Sequence, residues 1–66
     1  MKLYDLNKGD TFKLSETPSI PPDAPEGNKD LIYTYTHVDG MYAPCRDTTE
    51  HRRYYFAAWT EVTPTK

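Results

Sequence analysis

The sequence predicts an all-β domain of about five short antiparallel strands. Two runs rich in β-branched and aromatic residues, Leu31–Val38 and Met41–Arg46, flank Asp39-Gly40, a pair typical of two-residue hairpin turns. A third run, Thr11–Leu14, alternates polar and apolar residues at period two. No segment shows the periodicity of an amphipathic helix of useful length. These observations together favour the all-β class over a mixed fold.

The length of the chain limits what its interior can hold. Its 66 residues form one domain, and a chain of this size buries only roughly 60% of the surface that its unfolded form exposes. The single cysteine, Cys45, cannot form an internal disulfide. Six tyrosines, two phenylalanines and Trp59 are therefore expected to supply the core, a binding face, or both, because aromatic rings bring a large buried area per residue.

The first predicted strand follows a turn. Asn7-Lys8-Gly9-Asp10 combines a glycine, which tolerates positive φ, with side chains that bond to their own neighbouring backbone. In the strand Thr11–Leu14 that comes next, Phe12 and Leu14 are predicted to point to one face.

The segment 15–30, the proline loop, is predicted to be irregular. Pro18, Pro21, Pro22 and Pro25 stand within eight positions and lack the backbone N–H that a sheet or helix interior requires. Loops longer than about 12 residues in compact domains are usually functional or disordered. The sequence leaves open whether this loop is solvated or presents a recognition surface.

The hairpin about Asp39-Gly40 predicts which side chains share a face. With Asp39 and Gly40 as a type I′ turn, Val38 lies opposite Met41. One face then carries small and apolar residues and the other carries aromatic residues with a polar fringe. The first face holds Ile32, Thr34, Thr36, Val38, Met41, Ala43 and Cys45; the second holds Leu31, Tyr33, Tyr35, His37, Tyr42, Pro44 and Arg46.

The remaining elements complete a single domain over residues 1–66. A polar connection, 47–51, precedes a strand over 52–58, and 59–62 forms a last short strand or a one-turn helix leading into one, before a tail at 63–66. This inventory is that of a small SH3-like barrel or a strongly bent antiparallel sheet. The expected core consists of Leu6, Phe12, Leu14, Ile32, Val38, Met41, Ala43, Cys45, Phe56 and Val62.

Several function classes are disfavoured by composition. No apolar run approaches the ~20 residues that span a bilayer, so no membrane association is expected. No Cys-x-x-Cys or paired-His spacing predicts a metal site, and the predicted register separates Cys45 from His37, which argues against an activated nucleophile. We therefore expect no catalytic residues, no metal and no cofactor.

A pattern spread over most of the chain outside the proline loop resembles small uncharacterised proteins encoded by tailed bacteriophages. It runs Leu3-x-x-Leu6-x-x-Gly9-Asp10-x-Phe12, Tyr33, Asp39-Gly40-Met41-Tyr42-x-x-Cys45-x-Asp47, and Ala57-Ala58-Trp59-Thr60-Glu61-Val62. The Gly-Asp turn is generic to small barrels, whereas Asp-Gly-Met-Tyr-x-x-Cys is more particular. The proteins that it resembles have no assigned catalytic residues, so none are carried over to this chain, and the proline loop is longer than the turn expected there.

The function that these observations favour is non-covalent binding in the cytoplasm, the host-cell cytoplasm if the chain is phage-encoded. Tyrosine and tryptophan make good interface anchors, so we expect modulation of a host or phage protein, with homodimerisation as a sub-case. The alternative is binding of single-stranded nucleic acid or a nucleotide by the tyrosine-rich face, although the net charge of −2 disfavours it. The candidate binding residues are Tyr33, Tyr35, Tyr42, Arg46, Trp59, Pro21 and Pro22.

Overall fold

Five antiparallel strands form one sheet in the computed structural model, which describes residues 1–65. A short 3-10 turn, Leu3–Asp5, precedes β1 (Thr11–Leu14), β2 (Tyr33–Tyr35), β3 (Tyr42–Asp47), β4 (Arg53–Ala57) and β5 (Val62–Pro64). Their order across the sheet is β4-β3-β2-β1-β5. The predicted all-β class is confirmed, and the sheet is open, because its edge strands β4 and β5 do not pair to close a barrel.

The sheet must curl, because a short connection links its two edges. Five strands spaced about 4.8 Å apart put the edges roughly 19 Å from each other if the sheet is flat. The connection 58–61 starts with a tight turn in which the N–H and hydroxyl of Thr60 donate to the carbonyl of Ala57 at 3.0 and 2.7 Å. A chain folded back in this way reaches the far edge only when the sheet bends around its inner face.

The core lies on that inner face and is centred on Tyr33. The Tyr33 ring stacks on Phe12 with centroids 5.7 Å apart and meets Tyr54 and Phe56 edge-on at 5.1 and 5.0 Å. Seven expected core residues are buried there, as are four side chains that were not expected in the core. The expected ones are Leu6, Phe12, Leu14, Ala43, Cys45, Phe56 and Val62; the others are Leu3, Tyr33, Tyr35 and Tyr54.

The predicted register of the β2–β3 hairpin is wrong. Asp39, rather than Val38, closes the turn, and it exchanges backbone hydrogen bonds with Tyr42 at 2.8 and 3.3 Å. Tyr35 pairs with Cys45, so the side chains of β2 face the opposite way from the prediction, while Ala43 and Cys45 of β3 are buried as predicted. Shifting a strand by one residue reverses all its side chains, which is why Tyr33 and Tyr35 are buried. Val38 and Met41, predicted to be core, lie next to and inside the turn closed by Asp39 and Tyr42, and are 37% and 58% exposed. Ile32, also predicted to be core, is only half-buried.

Pro44 marks the place where the β2–β3 ladder stops. Three residues, 36–38, face only two, 43–44, between the Tyr35–Cys45 pair and the turn, as in a β-bulge. Proline has no N–H to give a neighbouring strand, and here the hydroxyl of Thr36 donates to the Pro44 carbonyl at 2.8 Å instead. Pro44 is thus accommodated at a bulge inside a central strand.

The proline loop packs on the core. A Cβ atom at Gly27 would lie 2.7 Å from Cδ1 of Leu14 and 2.8 Å from Cε1 of Phe56, so the backbone there rests directly on the core side chains. The Tyr33 hydroxyl accepts a hydrogen bond from the Asn28 N–H at 2.9 Å and donates to the Asn28 carbonyl at 3.3 Å. This loop therefore covers the inner face of the sheet.

The two ends of the described chain pair with each other. Leu3 N–H donates to the Thr60 carbonyl and Val62 N–H to the Met1 carbonyl, and the carboxylate of Glu61 forms ion pairs with the N-terminal amine and with Lys2. The predicted tail 63–66 begins inside β5, because Thr63 pairs with Lys13 of β1. Lys66 lies outside the described residues. Within residues 1–65 no helix is long and apolar enough to cross a membrane.

Candidate binding site on the outer face of the sheet

The outer face of β3 and β4 carries aromatic and charged side chains. Because side chains alternate along a strand, burial of Cys45 and Tyr54 directs their neighbours outward. Pro44 lies opposite Tyr55, and Arg46 lies opposite Arg53. This places an aromatic ring and two guanidinium groups side by side on one surface.

A cleft of about 400 Å³ lies over these residues. We call it the arginine cleft; it is bordered by Thr36, His37, Asp39, Pro44, Cys45, Arg46, Arg53 and Tyr55. Both arginines are exposed, and within residues 1–65 neither forms an ion pair. The cleft therefore offers two guanidinium groups that carboxylates of the described chain do not neutralise.

A second and more apolar cavity of about 340 Å³ also borders Tyr55. This proline pocket is bordered by Pro21, Pro22, Asp23, Ala24, Pro25 and Tyr55. The proline loop is held against the edge of β4 here, since Ala57 N–H donates to the Ser19 carbonyl at 2.9 Å. Tyr55 borders both cavities. We call the arginine cleft, the proline pocket and the Tyr55 ring together the Tyr55 groove.

The turn between β3 and β4 is fixed by a buried carboxylate. Asp47, which is 2% exposed, accepts hydrogen bonds at Oδ1 from the N–H groups of Glu50 and Arg52 at 2.8 and 3.3 Å. Within this turn His51 adopts a left-handed conformation with φ of 60°, and its carbonyl accepts a hydrogen bond from Nη1 of Arg46 at 3.3 Å. Asp47 thereby fixes the turn whose His51 carbonyl helps to position Arg46.

The structure separates the predicted binding residues into three groups. Tyr33 and Tyr35 are 0% and 7% exposed, so their assignment to an exposed binding face is wrong; the register shift turns them into the core. The residues that do border the Tyr55 groove are Arg46, Pro21 and Pro22. Tyr42 is half-buried on the outer face opposite Ala57, and Trp59 is 46% exposed in the β4–β5 connection.

Sequence reasoning missed Tyr55 and Arg53. The period of β4 was visible, because Tyr54 and Phe56 alternate with Arg53 and Tyr55, but both faces of this strand carry an aromatic ring. The signal in the sequence that could have identified the site is the clustering of the arginines. All three arginines of the chain, Arg46, Arg52 and Arg53, fall within eight positions on either side of one turn.

Cys45 borders the arginine cleft but its thiol is enclosed. The side chain is 0% exposed, and Sγ donates to the Ala43 carbonyl at 3.4 Å. Burial raises the pKa of the Cys45 thiol to about 12, so the group is protonated at neutral pH and lacks the thiolate that a nucleophile needs. Among residues 1–65, no three His, Cys, Asp or Glu side chains converge in a way that could hold a metal ion.

The chemistry of the Tyr55 groove is that of a binding surface with two unlike halves. One half is apolar and bounded by prolines, and the other presents two cations beside a ring. Comparison of the chain with protein-family models, with curated proteins and with solved structures finds no match. What the groove does must therefore be argued from the residues that line it.

Proposed function

We propose that the chain is a small non-catalytic binding protein that takes a segment of a protein partner into the Tyr55 groove. The observation that carries this proposal is that Tyr55 borders both cavities, one apolar and one cationic. Tyrosine and arginine are the residues most often found as energetic anchors of protein interfaces. A segment crossing Tyr55 would place an apolar side chain among the prolines and a polar or acidic one beside the arginines.

The rigidity of the groove supports the same proposal. The proline loop is tied to the sheet at Ser19 and at Asn28, and prolines lose little further freedom when a ligand binds because their φ angle is already fixed. Preorganised walls reduce the entropy cost of association. The resemblance to small tailed-phage proteins extends the proposal to modulation of a host or phage protein as the outcome of binding.

The test compares the intact protein with two outer-face variants as baits. Tyr55→Ala removes the ring shared by the two cavities, whereas Lys13→Ala alters an exposed outer-face residue on β1, two strands away from β3. We expect a partner that is captured from lysate by the intact protein and by Lys13→Ala, and at least tenfold less by Tyr55→Ala, with all three baits folded at the capture temperature. Equal capture by all three baits would contradict a site in the groove.

A nucleotide or single-stranded nucleic acid is the second candidate, because exposed arginines beside a tyrosine can hold a phosphate and stack a base. The acidic groups Asp23 and Asp39 that border the groove disfavour a long polyanion. Fluorescence anisotropy with a labelled dT oligonucleotide distinguishes the two. Saturable binding that Tyr55→Ala abolishes would favour the nucleic-acid function over the protein-binding one.

A further inference from the structure

Arg46 and Arg53 break a local rule of sheet stability. They occupy directly opposite positions on neighbouring strands, where like charges destabilise an antiparallel pair. Among residues 1–65 neither has an acidic partner within ion-pair distance. Violations of this kind that have no compensating contact in the protein are expected at functional sites.

The surroundings of the two arginines fit a bound anion. A guanidinium group carries five N–H donors, and Arg46 has a hydrogen bond to the His51 carbonyl that helps to fix its direction. Both arginines border an open cleft of about 400 Å³. Thr36 and His37 add polar groups at the same cleft, and His37 has no ion pair within the described chain.

The charge balance of the cleft is opposite to that of the chain. Two arginines against one carboxylate, Asp39, leave a net charge of +1 with His37 neutral, whereas the whole chain carries −2. Asp39 does not approach either arginine within ion-pair distance. An anion entering the cleft therefore meets two cations that no described carboxylate has already neutralised.

We propose that the arginine cleft is a phosphate-monoester site, in which Arg46 and Arg53 bind the dianion together. Two adjacent guanidinium groups match a doubly charged tetrahedral group better than a single carboxylate, because each can form a two-pronged, charge-assisted contact with it. This inference rests on the proposed function, because the phosphate group is taken to belong to a phosphorylated side chain of the protein partner that lies across Tyr55.

The site is tested by titrating the isotope-labelled protein with phenyl phosphate and following the Arg Nε–Hε signals by NMR. Three variants are matched: Arg46→Gln and Arg53→Gln remove cations of the cleft, and Arg52→Gln removes an exposed arginine next to it. We expect saturable shifts at Arg46 and Arg53, roughly tenfold weaker binding in each cleft variant, and unchanged binding in Arg52→Gln. Equal weakening in all three variants, or acetate binding as tightly as phenyl phosphate, would overturn the site.

Two further ligands identify the carrier. A phosphoserine peptide that binds more tightly than adenosine monophosphate supports a protein partner, and the reverse order overturns that assignment. The two proposals can be refuted separately. If phenyl phosphate does not bind but capture of the partner still depends on Tyr55, only the phosphate site is refuted. If phenyl phosphate binds but capture of the partner does not depend on Tyr55, only the proposed function of the groove is refuted. Arg46→Gln and Arg53→Gln should also keep or raise the thermal midpoint, since each relieves the like-charge pair.

Discussion

Tyr54 and Tyr55 are consecutive, identical residues with opposite surroundings. Tyr54 is 5% exposed and packs against Tyr33 and Phe56 on the inner face, while Tyr55 is half-buried and borders two cavities on the outer face. The comparison teaches that residue type alone does not distinguish a core ring from a binding ring in this chain. The difference comes from strand alternation together with the register that decides which face is inner.

The two faces also differ in how their polar groups are satisfied. Among residues 1–65, every buried side-chain nitrogen or oxygen has a hydrogen-bond partner, and Asp47 and the Tyr33 hydroxyl are examples. The outer face instead holds two opposed arginines without acidic partners. The inner face is thus satisfied by the chain itself, and the outer face has unused binding capacity.

The largest effect is expected where the inner face is opened. Phe56 is fully buried against Tyr33 and Tyr54, so Phe56→Ala should cost about 3–5 kcal/mol of unfolding free energy. For Tyr55→Ala, on the outer face, we expect about 1 kcal/mol or less. Urea unfolding followed by circular dichroism measures both. If Phe56→Ala leaves too little folded protein, Phe56→Leu should still lose more stability than Tyr55→Ala, and comparable losses would refute the division into faces.

Raising the pH should also lower the free energy of unfolding, through titratable groups of the inner face. The folded pKa of Cys45, about 12 against a usual 9.0, keeps the thiol protonated in the native state while the unfolded chain loses its proton. Stability is therefore fully present below pH 9 and falls as the pH rises towards 12, by about 1.4 kcal/mol at pH 10 for this group. Burial also raises the pKa of Tyr33 and of Tyr35, which adds to the loss above pH 10.

Cys45→Ala separates these contributions. Its unfolding free energy should change little between pH 8 and pH 9.5, whereas that of the intact protein should already decline, and both should decline above pH 10. Urea unfolding across this range gives the comparison. A parallel decline of the two proteins from pH 9 would mean that Cys45 is not the group responsible.

A loss smaller than that of Phe56→Ala is expected at the loop that covers the inner face. Gly27→Ala places a methyl group against Leu14 and Phe56, and overpacking of this kind typically costs about 1–3 kcal/mol. Gly9→Ala is the matched control, because Gly9 has a φ of 92° but open space around it, so the change strains only its own turn by about 1 kcal/mol. Hydrogen exchange at the Asn28 N–H should accelerate in Gly27→Ala and stay unchanged in Gly9→Ala. Equal exchange in both variants would show that the loop is not seated through Gly27.

The sequence was sufficient for the local elements. The strand Thr11–Leu14 was predicted with its observed bounds and inner residues, and Gly9 adopts the positive φ expected of the turn before it. In that turn Asn7 N–H donates to a carboxylate oxygen of Asp10 at 2.9 Å. Such features depend on neighbours a few residues apart, so their signals lie in contiguous sequence. The candidate site was only partly accessible in this way: Arg46, Pro21 and Pro22 were identified, and Tyr55 and Arg53 were not.

What the sequence by itself determined is therefore an all-β chain with a Gly-Asp turn, a central hairpin and an irregular proline segment. The tertiary structure alone decided which face of the hairpin is buried and where the proline loop lies. The period-two pattern of Leu31–Val38 has bulky side chains on both faces, so a shift of one residue is not excluded locally. The distant partners of Tyr33, namely Phe12 and Phe56, select the register that leaves Tyr55 and the arginines on the outside.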